Sequence, residues 1–164
     1  MSLAQKRKVS ENKSADRIPG LSHEVTTLLS VLDEVDRYGV FTKPVTLWFV
    51  YSHPLPDWFL EKDVINYHDM RFLYEDMARK IRDICNEAGV SCTVYWSADP
   101  LPGWPTYIVN ATRNGKTYTL YIEALAPSGV MMIDEKRKKF NAWVYIERAF
   151  NREITPPKHF IHIA

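Results

Sequence analysis

Two β-branched, aromatic segments around an Asn-Gly dipeptide constrain the fold of this chain more than any other feature. Residues 106–112 and 117–123 flank Asn114 and Gly115. Asn-Gly is the dipeptide best suited to the positive φ angles of a type I′ turn, which joins two antiparallel strands. The sequence therefore predicts a β-hairpin over residues 106–123.

Alternation along the hairpin predicts which side chains share a face, because successive residues of a strand point to opposite sides of the sheet. The predicted faces are Tyr107, Val109 and Ala111 against Ile108 and Asn110 in the first strand, and Leu120 and Ile122 against Tyr121 and Glu123 in the second. One acidic side chain, Glu123, is thus expected beside the ring of Tyr121 on the second strand.

Helical and strand patterns alternate through the rest of the chain. Ser22 and Gly39 are typical of the two ends of one helix, and apolar residues spaced by three and four predict another, longer helix. In chain order we predict a helix at 22–38, a strand at 44–51, a long helix at 58–88, a strand at 92–96, the hairpin, a helix from about 134 to 150 and a strand at 159–163. The helix at 134–150 would begin at Asp134 as its N-cap, although residues 143–146 are also typical of a strand.

Length and charge limit the class of protein. The 164 residues fit one domain, which we place at 20–164 after a flexible basic arm at 1–19. The hydrophobic content of 46% and the charged content of 25% are ordinary for a globular chain. A net charge of +1 gives no global field for nucleic acid, so phosphate contacts would depend on local basic runs such as 6–8 and 136–139. Such runs are also common on solvated surfaces.

The two cysteines and the hydropathy pattern favour a reducing compartment. Cys85 and Cys92 lack the spacing of a metal site, and we expect both to be reduced and buried. The sequence contains no apolar run of transmembrane length and no apolar segment of a signal peptide near its start. These features predict a cytoplasmic protein without a membrane partner.

Three short segments carry a resemblance to a known family. Residues 103–106 read Gly-Trp-Pro-Thr, residues 122–125 read Ile-Glu-Ala-Leu, and residues 127–129 read Pro-Ser-Gly. Together with a predicted α-β-β-β-α-β order from the long helix onward, they resemble the VRR-NUC branch of the PD-(D/E)xK nucleases, which is common in phages. That branch has Gly-x-Pro-Asp, then a strand ending Ile-Glu-x-Lys, then a Pro-x-Gly loop. Residues 1–57 lie outside the resemblance.

The resemblance implies a fold and a damaged active site. The fold would be α/β (α+β), a mixed central sheet flanked by helices in a restriction-endonuclease-like core, with an N-terminal helix-strand extension. In such nucleases the Asp and Glu hold Mg²⁺, and the Lys orients or activates the attacking water. Here Thr106 and Leu125 occupy the Asp and Lys positions, and only Glu123 remains. We therefore expect catalysis to be lost or severely reduced, with Mg²⁺ as cofactor only if the protein is active.

Other acidic residues could restore such a site. Asp99 could reach it from a loop, or Asp134 could act as a metal ligand with Lys136 as the base. A helix N-cap is the commoner use of an Asp at position 134. Glu75 matches a position where some members carry an extra acidic ligand, although a solvated helix residue is the commoner reading.

Three functions follow from the resemblance. The preferred hypothesis is a catalytically inactive pseudo-nuclease that binds nucleic acid or a protein partner. The alternatives are an active Mg²⁺-dependent nuclease with a rearranged site, and a structural or interaction protein such as a phage virion component. Phage origin would place the protein in a bacterial host cell or in a virion. The residues expected to bind nucleic acid are Lys136, Arg137, Lys138 and Lys139, and the rings that could stack on bases, unless they pack in the core, are Tyr95, Trp96, Trp104, Tyr107, Tyr118 and Tyr121.

Overall fold

Helices cover one face of an antiparallel sheet in this mixed α+β protein. A computed structural model describes residues 22–41, 43–46, 51–98, 105–125, 133–134 and 139–163. The helices are α1 (His23–Tyr38), α2 (Asp57–Leu60) and α3 (Tyr67–Glu87). The strands are β1 (Val40–Phe41), β2 (Val45–Thr46), β3 (Tyr51–Pro54), β4 (Ser91–Ala98), β5 (Pro105–Arg113), β6 (Lys116–Leu125), β7 (Ile133–Asp134), β8 (Lys139–Phe150) and β9 (Ile161–Ile163).

The sheet follows the order β9-β4-β5-β6-β8-β1, and β2, β3 and β7 also pair with β8. Every strand pair in the described residues is antiparallel. The mixed sheet that we expected is therefore not found in this part of the chain. Parallel neighbours need a long crossover, usually a helix, and the segment predicted as that helix has another structure.

The helix predicted over residues 134–150 is wrong. Lys139–Phe150 forms β8, which pairs with β6 from Trp143 to Phe150, and Asp134 lies in β7 rather than at a helix N-cap. A bulge between Ile146 and Arg148 inserts an extra residue, so the core positions are Phe140, Ala142, Val144, Ile146 and then Ala149. The three-residue step from Ile146 to Ala149 and the four-residue step from Phe140 to Val144 match the spacing of apolar residues in a helix.

Within the described residues the other local predictions hold with changed boundaries, whereas the arm at 1–19 and residues 47–50 of the strand at 44–51 lie outside them. Ser22 caps α1, and Gly39 ends it with a left-handed φ of 85°. The predicted long helix is two helices, because Asn66 and Asp69 form a capping box that starts α3. The hairpin is confirmed, and Asn114 and Gly115 have φ angles of 54° and 77°.

A single apolar core fills the space between the sheet and the helices α1 and α3. Its largest fully buried side chains include Trp96, Tyr107, Tyr118, Phe59, Phe140, Leu28, Leu32, Leu73, Met77, Ile81 and Leu120. The predicted division of the hairpin into two faces is confirmed, since one set belongs to this cluster and the other does not. The members within the cluster are Tyr107, Val109, Ala111, Leu120 and Ile122. Within the described residues, neither the length nor the apolarity of any helix suffices to cross a membrane.

An ionic cluster fastens α1 to the tip of the hairpin. Arg113 contacts Asp33 at 3.0 Å and Asp36 at 2.9 Å, and the Tyr118 hydroxyl donates a hydrogen bond to Asp36 at 2.6 Å. The hydrogen bond from Tyr118, followed by those from Lys116 and Arg113, lowers the pKa of Asp36 despite the opposing effect of burial. The cluster fixes the helix on the core side of β5 and β6.

Candidate functional site: the outer face of the sheet

The face of the sheet opposite α1 and α3 carries side chains that do not belong to the core, and we call it the outer face. Its described members on the four long strands are Thr93, Tyr95, Ser97, Thr106, Ile108, Asn110, Thr112, Thr117, Thr119, Tyr121, Glu123, Leu125, Asn141, Trp143, Tyr145, Glu147, Arg148 and Phe150. Hydroxyl groups and aromatic rings predominate among them. The outer face is therefore suited to contacts that combine stacking with hydrogen bonds.

Glu123 lies near the middle of one row across this face. Ser97 is paired with Thr106, Thr106 with Glu123, and Glu123 with Tyr145 on three successive pairs of strands. Paired residues of neighbouring strands project from the same face and lie about 5 Å apart at their Cβ atoms. The carboxyl group of Glu123 is thus flanked by positions that carry hydroxyl groups.

A second carboxyl group, that of Glu147, meets Glu123 on the outer face. Glu147 occupies the bulge of β8, where two residues of one strand face one residue of the other. Burial, the charge of Glu147 and a hydrogen bond with Glu147 all raise the pKa of Glu123, and the charge of Arg148 opposes them. Glu147 therefore lies close enough to Glu123 to disfavour the ionised form of the Glu123 carboxyl group.

Such a pair supports several kinds of chemistry. In its protonated form it can donate a hydrogen bond, and in its ionised form it can accept bonds from amino groups. Two carboxylates can also supply part of the oxygen shell that Mg²⁺ requires. Among the described residues, however, no three His, Cys, Asp or Glu side chains are grouped closely enough to hold a metal ion.

A row of aromatic positions lies beside the carboxyl pair. Tyr95 is paired with Ile108, Ile108 with Tyr121, and Tyr121 with Arg148. The His162 ring of the edge strand β9 lies 5.0 Å from the Tyr95 ring, between centroids. These rings extend the outer face to the edge of the sheet.

The C-terminal segment covers the other end of the outer face. The Asn110 amide donates to the Ile154 carbonyl oxygen at 2.9 Å and accepts from the Ile154 N–H at 3.3 Å. The Thr119 hydroxyl contacts the Asn110 side chain at 2.9 Å and also the carbonyl oxygen of Arg152. Asn110 and Thr119 are buried by this arrangement, so the accessible part of the outer face lies toward Glu123 and Trp143.

The three positions of the predicted nuclease-like motif, Thr106, Glu123 and Leu125, lie on this face. Thr106 and Glu123 are directly paired, as the resemblance requires of its two metal-ligand positions. Leu125 shares the face of Glu123, is 37% exposed and is paired with Trp143. These three positions therefore lie close together, where Thr106 offers a neutral hydroxyl group and Leu125 an apolar side chain.

The remaining predicted site residues are more scattered. Asp99, Lys136, Arg137 and Lys138 lie outside the described residues. The backbone of Asp134 pairs with that of Lys139 at the start of β8, and the Lys139 side chain is exposed. Glu75 lies on α3, behind the sheet, where it contacts Arg71 at 3.0 Å and Arg79 at 3.9 Å.

Sequence reasoning missed Glu147. The segment around it was predicted to be helical, and a helix would have separated it from β6. The strand-like residues 143–146 were the available signal, since they would have extended a strand up to this carboxylate.

A shallow apolar groove lies where β3, α2 and α3 meet. It has a volume of about 480 Å³ and is lined by His53, Pro54, Leu55, Pro56, Trp58 and Phe72. The rings of Trp58 and Phe72 are 5.6 Å apart, and Trp58 is half exposed. This groove is suited to apolar groups and lies apart from the residues of the nuclease-like motif.

Comparison of the chain with protein-family models, with curated proteins and with solved structures finds no match. The geometry of the outer face is consequently the basis for assigning a function.

Proposed function

We propose that this protein binds single-stranded nucleic acid on the outer face of its sheet without cleaving it. The observation that carries this proposal is the separation of the two faces, with α1 and α3 on one side and aromatic side chains across the other. Open sheets with exposed rings are a common platform for unstacked bases.

Tyr95, Tyr121 and Trp143 supply the stacking surfaces. They lie on three different strands, and Trp143 is 36% exposed. A base that stacks on an aromatic side chain contributes about 1–3 kcal/mol to binding, largely independent of its identity. Several rings on one face can therefore hold successive bases of a flexible strand.

Polar groups between the rings can contact the edges of the bases. Glu123 and Glu147 can accept hydrogen bonds from exocyclic amino groups, as acidic side chains do with cytosine. The position of Thr106 beside Glu123 adds a hydroxyl group that can donate or accept. These groups favour contacts to bases, since two carboxylates would repel a phosphate.

Cations occur beside the acidic pair and toward the ends of the face, where a phosphate backbone would pass. Arg148 follows the bulge of β8 and is exposed, as are Arg152 and Lys139. Lys139 is the last residue of the basic run 136–139, which we predicted from the sequence to bind nucleic acid. This distribution supports phosphate contacts at residues that flank the acidic pair.

The test is a fluorescence-anisotropy titration with labelled single-stranded DNA and RNA of mixed sequence. Tyr121→Ala should weaken binding by roughly fivefold or more, because one stacking surface is lost. Tyr38→Ala, which removes an exposed ring on α1 behind the sheet, is the matched control and should bind like the wild type. Equal affinity of both variants and the wild type, or absence of binding, would refute the proposal.

A metal-dependent hydrolase is the second candidate, and the Glu123–Glu147 pair is what favours it. Glu147 would replace the carboxylate that is absent at Thr106, and Arg148 would be the nearby cation. Incubation of the same oligonucleotides with Mg²⁺ or Mn²⁺ distinguishes the two functions. Cleavage that disappears in EDTA and in both Glu123→Gln and Glu147→Gln would establish the hydrolase, and binding without cleavage would support our first proposal.

A further inference from the structure

Cys85 and Cys92 are brought together at the junction of α3 and β4, away from the outer face. Cys85 lies in the last turn of α3 and Cys92 is the second residue of β4. Between them Gly89 adopts a left-handed φ of 74°, and the Val90 N–H donates to the Cys85 carbonyl oxygen at 2.9 Å. This tight turn folds the start of the strand back over the end of the helix.

Both side chains lie on the core side of the sheet, where Cys85 belongs to the apolar core and Cys92 packs against it. A hydrogen bond between the two thiols shifts the pKa of both. Cys85 is 1% exposed within the core, whereas Cys92 is partly accessible. A small reagent can therefore reach Cys92 first, and Cys85 is placed to react with whatever forms there.

The surroundings activate Cys92 in preference to Cys85. The hydrogen bond from Cys85 and the charge of Arg82 lower the pKa of Cys92, while burial and the charge of Asp83 oppose them. The same hydrogen bond, together with burial, raises the pKa of Cys85. Because the thiolate is the nucleophilic form of cysteine, Cys92 is the more reactive of the two.

We propose that Cys85 and Cys92 are an intramolecular dithiol pair that hydrogen peroxide converts to a disulfide, with Cys92 reacting first. The Cys92 thiolate attacks one peroxide oxygen, the O–O bond breaks, and sulfenic acid and hydroxide form. The Cys85 sulfur then attacks the Cys92 sulfur, the S–O bond breaks, and the second oxygen leaves as water. In total two thiols and one peroxide give one disulfide and two waters.

The disulfide would join the C-terminal end of α3 covalently to β4. A closed loop of this kind stabilises the folded chain by restricting the unfolded one. The oxidised protein should consequently melt at a higher temperature than the reduced protein. This inference is independent of the function proposed for the outer face.

Intact and tryptic mass spectrometry of the full chain after peroxide treatment provides the test. No Lys or Arg lies between position 82 and position 113, so both cysteines fall in the tryptic peptide 83–113. An intramolecular disulfide would appear as the loss of two hydrogen atoms from this peptide in monomeric protein, reversed by dithiothreitol. Two free thiols after treatment, Cys92 sulfinic acid beside a free Cys85, or a disulfide between two chains would each overturn the proposal.

Two variants test the order of the reaction. Cys85→Ala removes the second thiol, so the sulfenic acid at Cys92 should persist and be trapped by dimedone. Cys92→Ala should give no dimedone adduct at Cys85. Circular dichroism of each variant checks that it is folded, and Cys85→Ser replaces Cys85→Ala if the smaller side chain impairs folding. Trapping at Cys85 rather than at Cys92 would contradict the assignment.

Discussion

Glu123 shows how the contacts of one residue can differ from what its sequence context indicates. The resemblance predicted a lone carboxylate, whereas the fold brings Glu147 close enough to raise the pKa of Glu123. The strand and the face on which Glu123 lies could be predicted, because both follow from the alternation of residues in the hairpin. Its partner could not, because it depends on the pairing of β6 with a distant segment whose period was disturbed by a bulge.

Replacing Glu123 with Gln should stabilise the protein at neutral pH. The pKa of Glu123 is raised above its ordinary value of 4.5, so the folded state retains a proton that the unfolded state has already lost. The contribution of Glu123 to the free energy of unfolding is therefore favourable at low pH. It is lost as the pH rises through the raised pKa of Glu123. Thermal melts between pH 4 and 8 should show a Tm gain for Glu123→Gln that grows with pH across that interval. Glu153→Gln, on an exposed carboxylate, is the control, and a gain that does not change with pH would contradict the prediction.

Asn110 should be important for stability although it lies outside the helix-side core. Its side chain makes both hydrogen bonds to Ile154 and one to Thr119. Asn110→Ala removes the side-chain partner of both backbone groups of Ile154, which should cost about 1–3 kcal/mol in the free energy of unfolding. Urea denaturation measures the loss, with the exposed Thr112→Ala as control. The Ile154 amide hydrogen should also exchange faster in Asn110→Ala than in the wild type. Unchanged stability would show that Asn110 does not anchor the C-terminal segment.

At the scale of secondary structure, three turn and cap signals predicted the ends of elements correctly, whereas the N-cap predicted at Asp134 lies in a strand. Ser22, Gly39 and the Asn114-Gly115 turn occupy the expected places because each acts through its own backbone geometry or through near neighbours. Residues 139–150 were predicted to form a helix rather than a strand. The bulge makes their apolar spacing compatible with the period of either structure. The pairing with β6 decides between the two structures, and that information is not local.

Gly115→Ala should destabilise the central hairpin. Gly115 has a φ of 77°, and a residue with a Cβ atom pays about 1–2 kcal/mol in the left-handed region. Because β5 and β6 form the centre of the sheet, chemical denaturation should register the whole of this cost as a lower midpoint with an unchanged slope. Asn114→Gly is the matched control at the adjacent position and should be tolerated, since Gly accepts the φ of 54°. Equal losses in both variants would contradict a φ-based explanation.

At the scale of the whole molecule, the distribution of the elements matters more than the net charge of +1. Both long helices lie behind the sheet, and this arrangement leaves the acidic and aromatic residues of the outer face together. The sequence predicted an α+β protein, but it could not predict that every described strand pair would be antiparallel. The order of strands follows from long-range packing, in which β8 contacts β1, β2 and β3 as well as β6 and β7.

Binding of nucleic acid should depend only moderately on salt. The described cations at the margin of the outer face are few, and each phosphate contact lowers the slope of log affinity against log salt by about one unit. Arg148→Gln should therefore flatten the slope by about 1 while preserving part of the affinity, which comes from stacking. Arg79→Gln on α3 is the control. A slope that is unaffected by Arg148→Gln would remove this residue from the interface.

The most direct test of nucleic-acid binding on the outer face is a two-dimensional NMR titration of the ¹⁵N-labelled protein with an unstructured oligothymidylate. We predict that the amide shifts concentrate on β4, β5, β6 and β8 around Tyr95, Tyr121, Glu123 and Trp143, with little change in α1 and α3. Shifts confined to the helices or to the groove at Trp58, or no shifts at saturating oligonucleotide, would contradict the assignment of the outer face as a nucleic-acid-binding surface.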